Sequence, residues 1–301
     1  AGRVIARASE IVDGKVGIVT GGGSGHLPVF TGYVGKGLLD SCAIGDVFAS
    51  PSVEQMSDAM RAANGGAGVL RLYGNYGGDV MNFDMAGEML EMEDISSTTV
   101  LLADDVASAP KEESEKRRGV AGMVYAFKIA GAAAEQMKNL EDVTRIAQKT
   151  ADACHSVGAA LTSCTVPQAG KPTFEISEDD MEMGMGIHGE PGVWRGKLKT
   201  ADEIANEMVD MLLADINPVS GARMSVMVNS LGATPPEELY ILYRIVKKRL
   251  EDVEVKIVMP LVGRYATSME MTGVSFTFCE LDPELETLLL APAHCAFWTV
   301  G

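Results

Sequence analysis

Apolar runs that alternate with amphipathic segments constrain the fold of this chain more than any other feature. The runs at 16–20, 68–73 and 98–102 have the composition of buried strands, and helix-like segments separate them. This alternation is typical of a mostly parallel sheet covered by helices. The loops that follow such strands meet at one edge of the sheet, where α/β folds bind their ligands.

Helix start signals support this organisation. Ser52 begins a capping-box pattern, and Asp79 is expected to cap a helix over 80–92. Thr234, followed by proline and glutamate, predicts the cap of a helix over 235–250. Further helices are expected over 118–137 and 201–213, and shorter strand-like runs over 159–166, 224–228, 255–259 and 274–278.

The shift to shorter strand-like runs near residue 158 suggests two domains. We expect an N-terminal α/β domain over 1–157 and a C-terminal α/β domain over 158–301. The predicted fold class is therefore α/β, with two domains, each a mixed sheet covered by helices. The active site is expected at loops on the sheet edge between them.

Composition excludes several classes of function. The formal net charge of −17 argues against binding to nucleic acid or to an anionic membrane, because both require a basic surface. The five cysteines are scattered without a Cys-x-x-Cys pair, which favours buried thiols in a reducing cytosol over a disulfide frame or a zinc site.

No apolar stretch reaches the ~20 residues of a membrane span and no signal-peptide pattern is present, so the chain is expected to be cytoplasmic. It begins without Met, so an N-terminal piece is expected to be missing.

The first candidate loop, 21–26, contains Gly23, Ser24 and Gly25 and ends at His26. Consecutive glycines after a strand allow backbone N–H groups to face an oxygen-rich ligand. The spacing matches neither the dinucleotide fingerprint nor the phosphate loop of nucleotide-binding proteins. A simple glycine-rich turn is the alternative, but a titratable imidazole at a strand's carboxyl end favours a proton carrier.

The second and third candidates are Asp79 and His188. Asp79 is either a helix cap or an acceptor for a substrate hydroxyl proton, and the two roles are compatible. His188 lies among four glycines at 184, 186, 189 and 192, which predicts that a small molecule reaches its ring. A neutral imidazole is a nucleophile that can add to a carbonyl, whereas the alternative is a buried histidine bonded to backbone. His155 and His294 have no comparable surroundings and are interpreted as structural.

These loops, in this order, resemble the ketose-binding subunit or domain of the dihydroxyacetone kinase family. The resemblance covers almost the whole chain. The matching segments are Gly-Gly-Gly-Ser-Gly-His at 21–26, Gly-Tyr-Val-Gly-Lys-Gly at 32–37, Gly-Asp-Val-Phe-Ala-Ser-Pro-Ser at 45–52, Asn-Tyr-x-Gly-Asp at 75–79, Arg-Arg-Gly-Val-Ala at 117–121, Cys-Thr-Val-Pro-x-Ala-Gly-Lys-Pro at 164–172, Gly-Ile-His-Gly-Glu-Pro-Gly at 186–192, Asn-x-Leu-Gly-Ala-Thr-Pro at 229–235 and Ala-Pro-Ala-His at 291–294.

The resemblance implies a role for each candidate. His188 would form a covalent hemiaminal with the ketone carbon of the substrate. His26, as proton acceptor, and Asp79, as acid or base, would bind the substrate hydroxyls and assist proton transfer. Backbone near Gly23, Ser24 and Gly25, together with Ser50, would complete the pocket.

One departure from the family pattern concerns Gly74, where many members carry a lysine that contacts the substrate. We expect this replacement to leave space, so that the pocket takes a tetrulose such as erythrulose besides dihydroxyacetone. Leu27, where glutamate is common, is a second departure, without an assigned effect.

The resemblance also implies a partner. Nucleotide binding in this family belongs to a separate helical domain with an aspartate-rich magnesium site, which nothing after Trp298 resembles. We therefore expect no cofactor or metal on this chain, and a nucleotide-binding subunit or fused domain that supplies phosphate from ATP-Mg or from a phosphotransfer-system donor through bound ADP. A homodimer is implied as well. The rival function is a non-catalytic ketose sensor that acts as a coactivator of transcription.

Overall fold

A computed structural model describes residues 2–301. Its helices are α1 Val53–Ala63, α2 Gly77–Glu91, α3 Gly122–Glu135, α4 Leu140–Asp152, α5 Ala201–Ile216, α6 Pro236–Asp252 and α7 Pro283–Leu289. Its strands are β1 Val4–Ala6, β2 Gly17–Ser24, β3 Gly35–Lys36, β4 Ser41–Val47, β5 Val69–Gly74, β6 Ser97–Leu102, β7 Cys154–Ala160, β8 Thr165–Val166, β9 Lys171–Pro172, β10 Asp180–Met183, β11 Trp194–Lys197, β12 Arg223–Ser230, β13 Lys256–Gly263, β14 Gly273–Glu280, β15 Ala293–Cys295 and β16 Thr299–Val300. Within these residues no helix is long and apolar enough to cross a bilayer.

The chain forms two compact units, and their limits differ from the single boundary expected at 157/158. The first unit contains the chain up to Leu102 together with Met123–Asp152 and Pro283–Gly301, and the second contains Ala103–Gly122 and Ala153–Asp282. Hydrogen bonding explains the difference. Strand β7 already pairs with β14 from its first residue, and β15 near the C-terminus pairs with β3 of the first unit.

The sheet of the first unit has the strand order β1-β4-β2-β5-β6. Strands β4, β2, β5 and β6 are parallel, and β1 joins antiparallel at one edge. The carboxyl ends of β2, β4 and β5 therefore lie at the same edge, as predicted for an α/β sheet. Helices α1 and α2 bury Met60, Phe83 and Leu90 against this sheet.

Strand β2 extends further than the sequence predicted. Gly21 and Gly22 pair with Ala43 and Ile44 of β4, so the glycine run is part of the ladder rather than a loop. The prediction that the loop begins at Gly21 was wrong, and the turn begins at Gly25, with φ of 108°. The Phe30 ring occupies the place where a side chain on Gly22 would lie. A Cβ atom built on Gly22 would be 2.2 Å from that ring.

Two of the three predicted helix caps were wrong. The capping box at Ser52 is confirmed, with Ser52 Oγ accepting from the Gln55 N–H and the Gln55 side chain accepting from the Ser52 N–H. Helix α2, however, begins two residues before Asp79, and its N-cap is Tyr76. The side chain of Thr234 bonds to the backbone of Gly273 instead of capping α6.

The second unit contains a six-stranded mixed sheet of order β11-β10-β7-β14-β12-β13. Only β12 and β13 are a parallel pair. Helices α5 and α6 cover the sheet and bury apolar residues such as Met208, Leu212 and Leu239. The antiparallel strands β10 and β11 form a hairpin whose connection, 184–193, contains His188. The predicted strand over 159–166 is divided, because β7 ends at Ala160 and β8 begins at Thr165.

Candidate active site

His26 lies in the turn that follows β2 and is buried, with 1% of its surface exposed. Its ring stacks on Phe48, with centroids 4.8 Å apart, and meets the edge of Phe30. Phe48 follows β4 and has a left-handed φ of 55°. The turns after β2 and β4 therefore pack on each other through these rings. Ser24, just before the turn, donates its hydroxyl to the carbonyl of Gly45 at 2.7 Å.

Asp79 is the third residue of α2 and has 7% of its surface exposed. A carboxylate in the first turn of a helix is stabilised by the N-terminal end of the helix dipole. Ser50 lies beside this turn, because its hydroxyl is 2.6 Å from the position of a Cβ on Gly78. The Asn82 amide also donates to the Pro51 carbonyl at 2.8 Å. The structure thus brings Ser50 and the Asp79 turn together at the same sheet edge as His26.

Gly74 ends β5, and two side chains lie near the position where its Cβ would be. An added Cβ would lie 3.2 Å from the Tyr76 ring and 3.3 Å from the Met123 sulfur. These distances are shorter than ordinary van der Waals contact. Tyr76 and Met123 therefore lie close to the position of the missing Cβ, and the expectation of a wider pocket stays a prediction.

His188 lies in the β10–β11 connection, and 24% of its side chain is exposed. Its ring Nδ1 is 2.8 Å from Glu190 Oε1, and its backbone N–H donates to Glu190 Oε2 at 2.9 Å. Burial raises the pKa of Glu190, but the hydrogen bonds and charge of His188 outweigh burial and lower it to about 2. His188 thus presents a partly open ring backed by an ionised carboxylate.

The glycines around His188 are required by packing rather than by ligand access. An added Cβ on Gly192 would lie 2.1 Å from the Met183 carbonyl, and one on Gly189 would lie 2.9 Å from Thr173 Oγ1. Gly184 and Gly189 have φ of 83° and 85°, which favours glycine. The interpretation of the four glycines as open space for a ligand was therefore wrong, since the loop and its neighbours fill that space.

Arg118 and Asp105 support the same loop. Arg118 donates through Nε to Asp105 Oδ2 at 2.9 Å and through Nη2 to the Gly184 carbonyl at 3.0 Å. Burial raises the pKa of Asp105 to about 7 although the charge of Arg118 opposes it. The Arg118 guanidinium therefore connects the segment after β6 to the start of the His188 loop.

His155 and His294 are interpreted as structural, and their contacts agree with this. His155 Nδ1 is 2.7 Å from Asp215 Oδ2, and Arg117 donates two hydrogen bonds to the same carboxylate at 2.7 and 2.9 Å. Burial raises the pKa of Asp215, but Arg117 and His155 hold it below its ordinary value. His294 is exposed and contacts Thr299 Oγ1 at 3.0 Å.

Asp215→Asn is expected to lower the free energy of unfolding by about 3 kcal/mol or more, because Arg117 is left buried without its counter-ion. Since the folded pKa of Asp215 is depressed, its stabilisation is present above the unfolded pKa of about 3.9 and is lost as pH falls through the folded value. Urea unfolding at several pH values measures both effects. Asp210→Asn on the same helix is the matched control, since 65% of that side chain is exposed and less than about 1 kcal/mol is expected. Equal losses in both variants would contradict this assignment.

Comparison with known proteins identifies the family of this chain. A family model described as the Dak1 domain matches residues 1–297. The chain belongs to the Dak1 domain family. Among residues 2–301 of this family member, no group of three or more His, Cys, Asp or Glu side chains is placed to hold a metal ion.

Three Dak1 relatives indicate the range of the family. The chain is 44% identical to the PTS-dependent dihydroxyacetone kinase 2, dihydroxyacetone-binding subunit DhaK, of Listeria innocua, and the match covers 99% of this chain and 89% of that protein. It is also 44% identical to L-erythrulose kinase of Pectobacterium atrosepticum, covering 99% of this chain but 51% of that protein. A solved structure titled dihydroxyacetone kinase operon co-activator Dha-DhaQ superimposes with a TM-score of 0.92 at 32% identity, covering 98% of this chain and 91% of that one.

Sequence reasoning singled out three candidate titratable groups in this Dak1 domain but missed the residues that contact two of them. Phe48, which stacks on His26, and Glu190, which binds His188, were not singled out. A carboxylate two residues after the histidine, in the Ile-His-Gly-Glu run at 187–190, was the available signal for Glu190. No comparable signal pointed to Phe48, because its contact with His26 depends on the parallel pairing of β2 and β4.

Proposed function

We propose that this chain is the substrate-holding part of a short-chain ketose kinase. His188 holds the ketone carbon of dihydroxyacetone or of a tetrulose as a hemiaminal, and a nucleotide-bearing partner phosphorylates the terminal hydroxyl. The observation that carries the proposal is that His188 keeps a partly exposed ring while its other face is fixed by Glu190. The ring of His155, whose Nδ1 also faces a carboxylate, is less exposed, with 13% of its side chain accessible.

The chemistry of the proposal follows from the groups involved. Imidazole adds to a ketone or aldehyde but not to a polyol such as glycerol, which has no electrophilic carbon. Covalent attachment holds the terminal hydroxyl for in-line attack on a phosphoryl group, so positioning contributes to the rate. Asp79 or His26 then accepts the hydroxyl proton, and both bind the substrate hydroxyls.

The phosphoryl donor is expected on a partner. The chain spans 89% of the Listeria dihydroxyacetone-binding subunit, which is PTS-dependent by name, but about half of L-erythrulose kinase. The first relation supports a separate nucleotide-binding subunit, and the second supports a fused domain. Under either arrangement this chain binds the ketose without phosphorylating it alone.

A ketose-sensing coactivator is the second candidate function, because the Dha-DhaQ co-activator superimposes over nearly the whole chain. A sensor needs to bind the ketose but does not need a base near the terminal hydroxyl. The buried Asp79 and His26 at one sheet edge therefore favour the kinase.

Reconstitution tests the proposal. The chain is mixed with a nucleotide-binding partner, given ATP or a phosphotransfer-system donor, and offered dihydroxyacetone, D-erythrulose, L-erythrulose and glycerol. We expect ketose phosphate with one of the donors and none from glycerol. Ketose binding without turnover under both donors would contradict the kinase and favour the coactivator. Turnover of erythrulose as well as dihydroxyacetone would support the prediction that the site takes a tetrulose, and a clear preference for dihydroxyacetone would contradict it.

A further inference from the structure

The contact between Glu190 and His188 determines which ring nitrogen carries the proton. An ionised carboxylate only accepts hydrogen bonds. Glu190 Oε1 is 2.8 Å from Nδ1 of His188, so Nδ1 must be the protonated nitrogen that donates. In the neutral ring the remaining nitrogen, Nε2, then carries the lone pair.

We propose that Glu190 is the positioning residue that makes His188 a nucleophile through Nε2. The inference rests on the proposed function, in which His188 bonds to a ketone, and it assigns a role to a side chain that does not itself touch the substrate. Without Glu190 the ring is free to place its proton on Nε2, and that nitrogen then has no lone pair with which to attack.

The carboxylate is held on two sides, which fixes the orientation of the ring. Glu190 Oε2 accepts the backbone N–H of His188 at 2.9 Å while Oε1 contacts the ring of the same residue. Glu190 Oε2 and Arg118 Nη1 would lie 2.2 and 2.7 Å from a Cβ on Gly186. Because Gly186 has no side chain, the Glu190 carboxylate can lie against its backbone. The Arg118 guanidinium, which donates to Asp105, lies close to the same position.

The proposed step balances in protons and electrons. The Nε2 lone pair forms the N–C bond, the carbonyl π pair moves to the oxygen, and a proton from solvent converts that oxygen into a hydroxyl. The ring then carries a positive charge beside the Glu190 carboxylate, and the Nδ1 proton stays in the hydrogen bond to Oε1, so the adduct is an ion pair that has taken up one proton from solvent. Glu190 thus stabilises the charge that develops during attack.

A purely structural role for Glu190 is the competing explanation. Glu182 provides the comparison, because it anchors the same connection without contacting His188. Glu182 Oε1 accepts from the Gly192 N–H at 2.7 Å, and Oε2 accepts from Arg195 Nε at 2.8 Å. Removing the hydrogen bonds of Glu182 to Gly192 and Arg195 should weaken the loop but leave the tautomer of His188 unchanged.

The experiment compares Glu190→Gln with Glu182→Gln in the full chain. In Glu190→Gln a single amide oxygen replaces two carboxylate oxygens, so the ring and the backbone N–H of His188 compete for it while the amide NH₂ donates. We expect ¹⁵N shifts to place the proton of the neutral ring on Nδ1 in the wild type and in Glu182→Gln, and to move it toward Nε2 in Glu190→Gln.

Adduct formation supplies the second readout. Intact-mass analysis with dihydroxyacetone should show the rate of adduct formation lowered by about 100-fold or more in Glu190→Gln, since replacing the orienting carboxylate of a catalytic histidine by an amide costs ~10⁴ in serine proteases. An equal loss in Glu182→Gln, or an unchanged tautomer in Glu190→Gln, would overturn the inference. So would a wild-type ring with its proton on Nε2, a result that requires no variant.

The two readouts separate this inference from the function on which it rests. If the wild type forms no adduct, the proposed covalent step fails, whereas the ¹⁵N shifts still decide whether Glu190 sets the tautomer. If the adduct forms and the tautomer is insensitive to Glu190, the function stands and the inference fails.

Discussion

His188→Ala is expected to abolish the mass increase that dihydroxyacetone causes in the wild-type protein. Nε2 is the atom proposed to bond to the ketone carbon, and alanine has no nucleophile. The preference for ketoses over glycerol in the reconstituted reaction should fall by about 10²-fold or more, because covalent positioning is the step that requires a carbonyl. Intact-mass spectra and paired turnover assays measure the two effects.

His294→Ala is the control for this prediction. His294 is exposed and its ring contacts the hydroxyl of Thr299, so the adduct and the preference should both be retained. An adduct that survives His188→Ala, or one that is lost equally in His294→Ala, would contradict the assignment of the covalent bond to His188.

Asp79→Asn is expected to lower turnover with the partner and phosphoryl donor by about 10²- to 10⁴-fold, the usual contribution of a general base. The adduct on His188 should still form, because Asp79 is proposed to act on the hydroxyl rather than on the ketone carbon. Adduct mass and the single-turnover rate therefore separate its role from that of His188. Asparagine keeps the shape of the buried side chain, so a change in packing is minimised.

Asp84→Asn is the matched control on the same helix. Asp84 has 57% of its side chain exposed and lies 3.3 Å from Arg71, and its substitution should leave turnover unchanged. Equal effects of the two substitutions, or full activity of Asp79→Asn, would show that Asp79 is not the base.

The elements that the sequence predicted well are those whose signal is local. The apolar runs at 68–73 and 98–102 became β5 and β6 with shifts of one residue, and Ser52 caps α1 as its spacing required. Predictions that depended on partners far along the chain were less accurate. Helix α4 over 140–152 was not predicted, and β2 continues through its glycines because β4 and the Phe30 ring cover them.

In the candidate site, too, local motifs were easier to interpret than contacts that only the folded chain makes. His26, Asp79 and His188 were proposed from their motifs, but the reason for the glycines around His188 was misinterpreted. Glycines at 184, 186, 189 and 192 make room for neighbouring protein atoms, which only the folded loop reveals. At Gly74, likewise, the sequence does not show that Tyr76 and Met123 lie close to the position of the Cβ.

The central claim is that this chain holds a short ketose through a covalent bond to His188. NMR of protein with ¹⁵N-labelled histidine and dihydroxyacetone labelled with ¹³C at its ketone carbon tests this directly. We predict that the carbonyl resonance is replaced by that of a tetrahedral carbon coupled to one ring nitrogen, and that the coupling is absent in His188→Ala. A saturated protein that shows only the free ketone and its hydrate, without coupling to nitrogen, would contradict the account.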